Sequence, residues 1–272
     1  MSDQKVVLIT GASSGVGQST ARTLSQKGYK VFGTSRNPAR GEIIPSVEML
    51  ALDVRADDSV SACLQAITSQ VGHLDVLVNN AGVELAGALE ETSLEEAKAQ
   101  FETNFFGVVR MVKGILPYMR QQKHGQIINV SSLTGLSAVP FMGMYTASKF
   151  ALEGYTEALR MEVKPFHIHV SLIEPSFLHT PMMNKRQVAA DQLMEYEPWR
   201  QRAFHAIRQY EEQGPDPQLV AETVLQITTS KTPRLRYVIG GQANFVSRSR
   251  RFLPEGVFEQ ASRSFFGLDK NK

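Results

Sequence analysis

At 272 residues, 42% of them apolar and 21% charged, the chain can bury a sizeable core, and its composition excludes a collagen, a disordered tail and a disulfide scaffold. A formal net charge of +2 supplies no basic field for a phosphate backbone, so no nucleic acid is expected as a partner. Cys63 is the single cysteine, which rules out an internal disulfide, and no apolar run approaches the roughly 18 to 20 residues of a membrane span.

The first strand-like run begins at Lys5, too early for a signal peptide ahead of it, and a cytoplasmic location is expected. From there short β-branched runs alternate with helical periodicity. Strands are predicted over 6–10, 30–35, 47–52, 75–78, 126–130, 167–173 and 236–239. Helices are predicted over 15–27, 57–70, 94–121, 145–164 and 217–229, with Gly28 and Gly72 as stops. Strands joined by helical crossovers predict an α/β chain, one domain over 1–272, of Rossmann-type doubly wound architecture with a seven-stranded parallel sheet. The rhythm breaks over 180–217, where Met182, Met183, Leu193, Met194, Tyr196, Trp199 and Phe204 predict a lid inserted over a site, as pocket lining or as lid packing. A C-terminal extension over 242–272 places Arg248, Arg250 and Arg251 ahead of Phe252 and Leu253, a solvated or intersubunit segment.

The run Thr10-Gly11-Ala12-Ser13-Ser14-Gly15-Val16-Gly17 stands where the first strand meets the first helix. Glycines permit a tight turn and close approach to a pyrophosphate, and the helix N-terminus stabilises its charge through N–H groups such as those of Ser13, Ser14 and Val16. The end of the second strand reads Thr34-Ser35-Arg36. No carboxylate is there to accept from a ribose 2′-hydroxyl, whereas a guanidinium fits a 2′-phosphate, so NADP(H) is expected rather than NAD(H). Asp53, followed by Val54 at the end of the third strand, either meets the adenine or caps the next helix.

Tyr145 and Lys149 are four apart in Tyr-Thr-Ala-Ser-Lys, so on a helix they share one face. A phenol with an ordinary pKa of about 10 is a poor acid at neutral pH, and a neighbouring ammonium and a positively charged nicotinamide are both expected to pull it down. Ser132 ends the fifth strand, where ligands sit in such sheets, and its hydroxyl suits a carbonyl oxygen. Ser131 reads instead as the turn serine that satisfies backbone groups.

Taken together, Thr10-Gly-x-x-x-Gly15-x-Gly17, Asn79-Asn80-Ala81-Gly82, Asn104, Ser132 and Tyr145-x-x-x-Lys149 make the chain resemble the short-chain dehydrogenase/reductase family over almost its whole length. The resemblance implies a catalytic set of Asn104, Ser132, Tyr145 and Lys149, with Asn104 holding a water in a relay to Lys149 and Lys149 also gripping the nicotinamide ribose. It implies further that Asn79 braces the central strands and that Asn80, Ala81, Gly82, Pro175 and Thr180 lie against the cofactor. Ser176 stands where the family usually has glycine, which puts the path to Thr180 in question. The segment from Tyr145 to Gly154 and the long tail resemble the hydroxysteroid and retinol dehydrogenase branch, implying a bulky apolar carbonyl or alcohol substrate and a homodimer or homotetramer. The rival reading is a non-catalytic NADP(H) sensor, since fold alone does not guarantee chemistry.

No His-Glu-x-x-His pattern or Cys/His cluster occurs, so no metal site is expected. His167 and His169 alternate on a predicted strand, and the pairs Glu90-Glu91 and Glu95-Glu96 read as a solvated helix start.

Overall fold

The computed structural model describes residues 4–40 and 42–269. In chain order its strands are β1 (Val6–Ile9), β2 (Lys30–Ser35), β3 (Val47–Ala51), β4 (Val76–Asn79), β5 (Leu85–Ala86), β6 (Gly125–Val130), β7 (Ile168–Pro175), β8 (Gln187–Val188) and β9 (Arg236–Ile239). The helices are α1 (Gly15–Gln26), α2 (Asp57–Val71), α3 (Leu94–Phe101), α4 (Gly107–Gln122), α5 (Gly143–Val163), α6 (Glu197–Glu212), α7 (Gln218–Thr229), α8 (Gly241–Phe252) and α9 (Glu255–Phe265). Seven strands form one sheet in the order β3-β2-β1-β4-β6-β7-β9, every pair parallel, while β5 and β8 form a separate parallel ladder. The predicted doubly wound α/β architecture with a seven-stranded parallel sheet is therefore present.

Strand pleating explains why each apolar run covers both faces. Successive side chains point oppositely, so Val6 and Leu8 of β1 join Leu77, Ile127 and the helices α2, α4 and α5 on one side. Val7 and Ile9 join Val76, Val78 and Ile128 with α1 and α7 on the other. A third cluster collects Ala86, Val139, Met142, Tyr145, Ile207 and Phe266 at the carboxyl end of the sheet.

Several boundaries differ from the sequence reading. The expected helix over 94–121 is split by a π-helical turn at Glu102–Phe106, in which the Gly107 N–H reaches back to the Glu102 carbonyl. His167 lies outside β7, in a left-handed conformation at the end of the preceding short helical turn. Gly72 caps α2 with φ of 79°, as expected.

The segment 180–217 is ordered: it contains a 3₁₀ turn (Pro181–Asn184), β8 and α6. The reading of Glu90-Glu91 and Glu95-Glu96 as solvated needs correction. Glu91 is 1% exposed and pairs with buried Arg200 of α6, while accepting from the N–H groups of Ala88 and Leu193. Glu96 does close the start of α3 in a capping box with Ser93, and its other oxygen accepts from Ala190 N–H at 2.9 Å. These carboxylates tie the inserted segment to the sheet body, a tertiary role that adjacency in sequence cannot reveal.

In the tail, α8 and α9 follow β9. The side chains of Arg248 and Arg251 lie outside the described residues. Arg250 donates to the Leu136 carbonyl and sits 5.2 Å over the Phe150 ring, so it is bound to the body of the protein. Among the described residues no helix is long and apolar enough to cross a membrane.

Candidate active site

The strand order reverses direction at β1, between β2 and β4, and a crevice opens at the carboxyl ends of the strands there, as the winding requires. Its volume is about 470 Å³. The turn between β1 and α1 forms one wall. Gly11 and Gly15 hold φ of 70° and 55°, a region that side chains other than glycine seldom adopt. Gly11 is further required because a Cβ there would sit 2.9 Å from the Ala81 Cα. Gly17 does not line the crevice as expected; a Cβ on it would strike the Gly11 carbonyl and the Asn80 amide, so its role is to let the helix pack behind the turn. Thr10 and Asn80 staple the turn to β4: the Thr10 hydroxyl accepts from Asn80 and Ala81 N–H at 2.9 and 3.0 Å, and the Asn80 amide donates to the Thr10 and Gly11 carbonyls.

The start of α1 carries no acidic residue and no side-chain cap, because Ser14 makes no capping bond. Its N–H groups and the hydroxyls of Ser13 and Ser14 thus face the crevice as donors, the arrangement that suits a pyrophosphate. The nicotinamide dinucleotide expected from sequence fits this cradle.

At the end of β2 and β3 the crevice is lined by Arg36, Asp53, Val54 and Arg55. Asp53 neither caps α2, whose N-cap is Ala56, nor stands free: Arg55 engages both of its oxygens, at 2.9 and 2.6 Å. That guanidinium, with Arg36 further off, holds the Asp53 carboxyl down to about 2. Arg55 went unnoticed in the sequence, although its place two residues after Asp53 is the spacing of such a local pair. The corner carries two guanidiniums against one carboxylate.

The other end holds the predicted reacting groups. Ser132, Tyr145 and Lys149 line the same crevice as the glycine turn. Lys149 donates to the Val130 carbonyl at 2.9 Å, with its ammonium 5.7 Å from the centre of the Tyr145 ring. Burial pushes the Lys149 ammonium down to about 8, partly opposed by Glu84 and Glu153. The expectation that the lysine draws the phenol down is not met. Burial, then the Glu84 carboxylate, pushes Tyr145 up, and the hydroxyls of Ser132 and Thr134 beside it only partly oppose the rise. Thr134 was missed, and its hydroxyl, two residues past Ser132, lacks a hydrogen-bond partner. The backbone-satisfying bond expected of Ser131 is made by Ser132, which accepts from the Thr134 N–H at 3.1 Å, whereas buried Ser131 Oγ has no partner. The Ser132 proton stays available to a ligand.

Asn104 is 1% exposed and lies behind the crevice wall, on the π-helical turn. Its Oδ1 accepts from the Val83 N–H at 2.9 Å and its Nδ2 donates to the Val83 carbonyl at 3.0 Å, a two-point clamp on the strand of chain after Gly82. Its Nδ2 also donates to the Ser148 hydroxyl of α5 at 3.3 Å, so the side chain ties the Val83 backbone to the helix that carries Lys149. Asn79 donates to Asn129 at 2.9 Å, and Asn129 to Thr156 of α5, so a buried chain of side chains locks β4, β6 and the helix bearing Tyr145. Thr180 packs against the glycine turn, 3.6 Å from where a Gly15 Cβ would stand, and Pro175 closes the floor. Ser176 is accommodated because Gly240 faces it, with no Cβ to collide with its hydroxyl. Of the seven apolar residues singled out between Met182 and Phe204, Met182 and Met183 line the crevice, with Lys185 and Gln187 beside them, and Phe177 and Leu178 add to the apolar wall.

A family model described as short chain dehydrogenase matches residues 5–191. The chain belongs to the short-chain dehydrogenase family. This dehydrogenase is 41% identical over 267 residues to the 3-ketodihydrosphingosine reductase of Bacteroides thetaiotaomicron, covering 97% of the chain and 98% of the relative. It is 38% identical to human retinol dehydrogenase 8, covering 85% and 80%, and 35% identical to human 17-beta-hydroxysteroid dehydrogenase type 1, covering 92% and 79%. Among solved structures, a short-chain dehydrogenase from Burkholderia phymatum in complex with NAD superposes with a TM-score of 0.80 at 25% identity over 95% of each chain. ElxO with NADP bound gives 0.75 at 26% identity over 89% and 99%. The dehydrogenase is thus an oxidoreductase whose relatives act on carbonyl or alcohol groups and whose structural neighbours hold a nicotinamide dinucleotide.

Proposed function

We propose that the chain is an NADP(H)-dependent reductase of a bulky apolar ketone or aldehyde, working also in reverse on the alcohol, with Tyr145 as proton donor. The observation that carries this reading is the convergence of Tyr145, Lys149 and Ser132 on the crevice that the glycine turn opens. A nicotinamide dinucleotide held along the turn supplies or accepts the hydride. Ser132 donates a hydrogen bond to the carbonyl oxygen and stabilises the charge that grows there. Tyr145, kept protonated by burial, gives its proton to that oxygen. Lys149 holds a positive charge beneath the phenol and presents its remaining protons to the crevice, while Asn104 positions Gly82 and Val83. Relatives named for retinol, a hydroxysteroid and a keto-sphingoid support an apolar substrate, in keeping with Phe177, Leu178, Met182 and Met183 on the wall. Preference for NADP(H) rests on Arg36 and Arg55 at the β2 and β3 ends, where β2 offers no carboxylate.

Titrating NADPH and NADH and assaying an apolar ketone panel tests both parts. NADPH is expected to bind more tightly, and Arg36→Ala to weaken NADPH by roughly 10- to 100-fold, the worth of a charged hydrogen bond, with NADH little changed. Tyr145→Phe is expected to lower kcat by about 10²- to 10⁴-fold while NADPH still binds. A tighter grip on NADH removes the cofactor assignment; undiminished turnover in Tyr145→Phe removes the acid.

A further inference from the structure

Beside the reacting groups lies a built charge cluster that an apolar ketone leaves unused. Glu84 directly precedes β5, Arg186 directly precedes β8, and their ladder brings the two together. Arg186 donates to Glu84 at 3.0 and 3.1 Å and pairs also with Glu211 at the end of α6, all three side chains being 12% exposed or less. Two carboxylates share one guanidinium, and burial, helped by Glu84 and opposed by Arg186, pushes the Glu211 carboxyl above the usual range, so a bound cation would favour its ionised form. Glu84 and Glu211 both line the crevice, and Glu84 is near enough to act on Tyr145 and Lys149. Glu211 is 6% exposed, yet its Oε2 has no hydrogen-bond partner.

A buried carboxylate oxygen without a donor is costly and calls for an explanation; Glu153 Oε1 and Glu174 Oε2 are left so as well, away from the crevice, whereas Glu211 lines it and is within reach of a ligand. The nearby cations do not fill the role. Arg186 is spent on Glu84 and on the other oxygen of Glu211, Lys149 is held by the Val130 carbonyl, and Lys185 is exposed at the mouth. We propose that Glu211, with Glu84 behind it, forms a subsite for a primary ammonium carried by the substrate close to its reacting carbonyl. This rests on the reading of Tyr145 as the group that meets that carbonyl. The substrate class is then an amphiphilic amino ketone: the ammonium on the Glu211 side, the carbonyl at Tyr145 and Ser132, and the chain along Phe177, Leu178 and Met182. An ammonium offers three donors, enough for Glu211 Oε2 and a second acceptor.

The test compares a long-chain 2-amino-3-ketone with the 3-ketone of equal length lacking the amine, assayed with NADPH on the wild-type protein and on Glu211→Gln. The wild type is expected to favour the amino ketone in kcat/KM on the order of 10- to 100-fold, and the ratio is expected to collapse toward one in the variant. Equal rates on the two ketones in the wild type, or a ratio that survives in Glu211→Gln, would overturn the subsite. Because the variant could fail to fold, a second measurement uses the wild type alone: a long-chain primary amine and the alkanol of equal length, each measured for its shift of Tm with NADP⁺ present. A larger shift with the amine supports the subsite, and equal shifts overturn it. This arm also separates the two readings, since stronger binding of the amine without reduction of either ketone would sink the assignment of Tyr145 and leave the ammonium site standing.

Discussion

A phenol that must give a proton to a growing alkoxide is useful while it is still protonated, and burial keeps Tyr145 in that form. Lys149 is the group whose charge changes within the working range. Burial lowers its pKa from the ordinary lysine value to about 8, so it holds its proton at neutral pH and loses it well before an exposed lysine would. Reductive kcat/KM is therefore expected to be level from pH 6 to 7 and to fall as pH rises through about 8. Lys149→Arg, whose guanidinium stays charged, is expected to push that falling limb upward by a unit or more, whatever it does to the plateau. A pH–rate profile of both proteins checks this; a wild-type limb that begins only near pH 10 would show that Lys149 is not the group observed.

At the level of elements, the π-helical turn and the inserted segment do most to shape the site. One residue more than an α-helical turn holds rotates Asn104 onto the Val83 backbone, a displacement of the kind that recurs at functional positions. The inserted segment is held from below by Glu91–Arg200 and Glu84–Arg186 and by aromatic stacking, the Tyr210 ring lying 4.3 Å from Phe265 of the tail and 6.0 Å from Phe177 just after β7. Glu91→Ala takes from Arg200 its one fully buried partner and leaves it only Glu197, which is partly exposed, so the cost is expected to approach the roughly 3–5 kcal/mol of a broken buried pair. Amide exchange over 187–212 is expected to accelerate more than exchange in β1, β4 and β6, and the apparent KM for the carbonyl substrate to rise more than kcat falls. Unaltered exchange in that segment would show that the pair does not anchor it.

Across the whole molecule, the helix that carries Tyr145 is pinned to the sheet edge by a charge network. Arg236 of β9 pairs with Glu153 and Glu157 of α5 and with Glu174 of β7, which is fully buried. Burial, and then the Glu153 carboxylate, pushes Glu174 up to about 7 despite Arg236. A carboxyl whose folded pKa lies above its unfolded value, about 4.3, adds stability that is complete at low pH and is lost as pH rises through the folded value. Between pH 5 and 7.5 the wild type is thus expected to lose Tm relative to Glu174→Gln, by about a few degrees. Thermal melts of the two proteins across that interval check the sign; a difference that does not vary with pH would mean that Glu174 is ionised throughout.

Sequence alone determined the alternation of strand and helix, the parallel sheet, the glycine turn at the first βα junction and the shared face of Tyr145 and Lys149. These are local: hydrophobic period, φ requirements and four-residue spacing are written within a few neighbouring positions. Tertiary structure alone decided what depends on distant partners. It placed Gly17 behind the turn, turned Asn104 onto Val83, gave Asp53 to Arg55, drew Glu91 under α6 and set Glu84, Arg186 and Glu211 together beside the phenol. It also decided the direction of the Tyr145 shift, because desolvation and the field of Glu84 come from elements far apart in the chain, and a pKa answers to everything packed around a group rather than to the residue four places along.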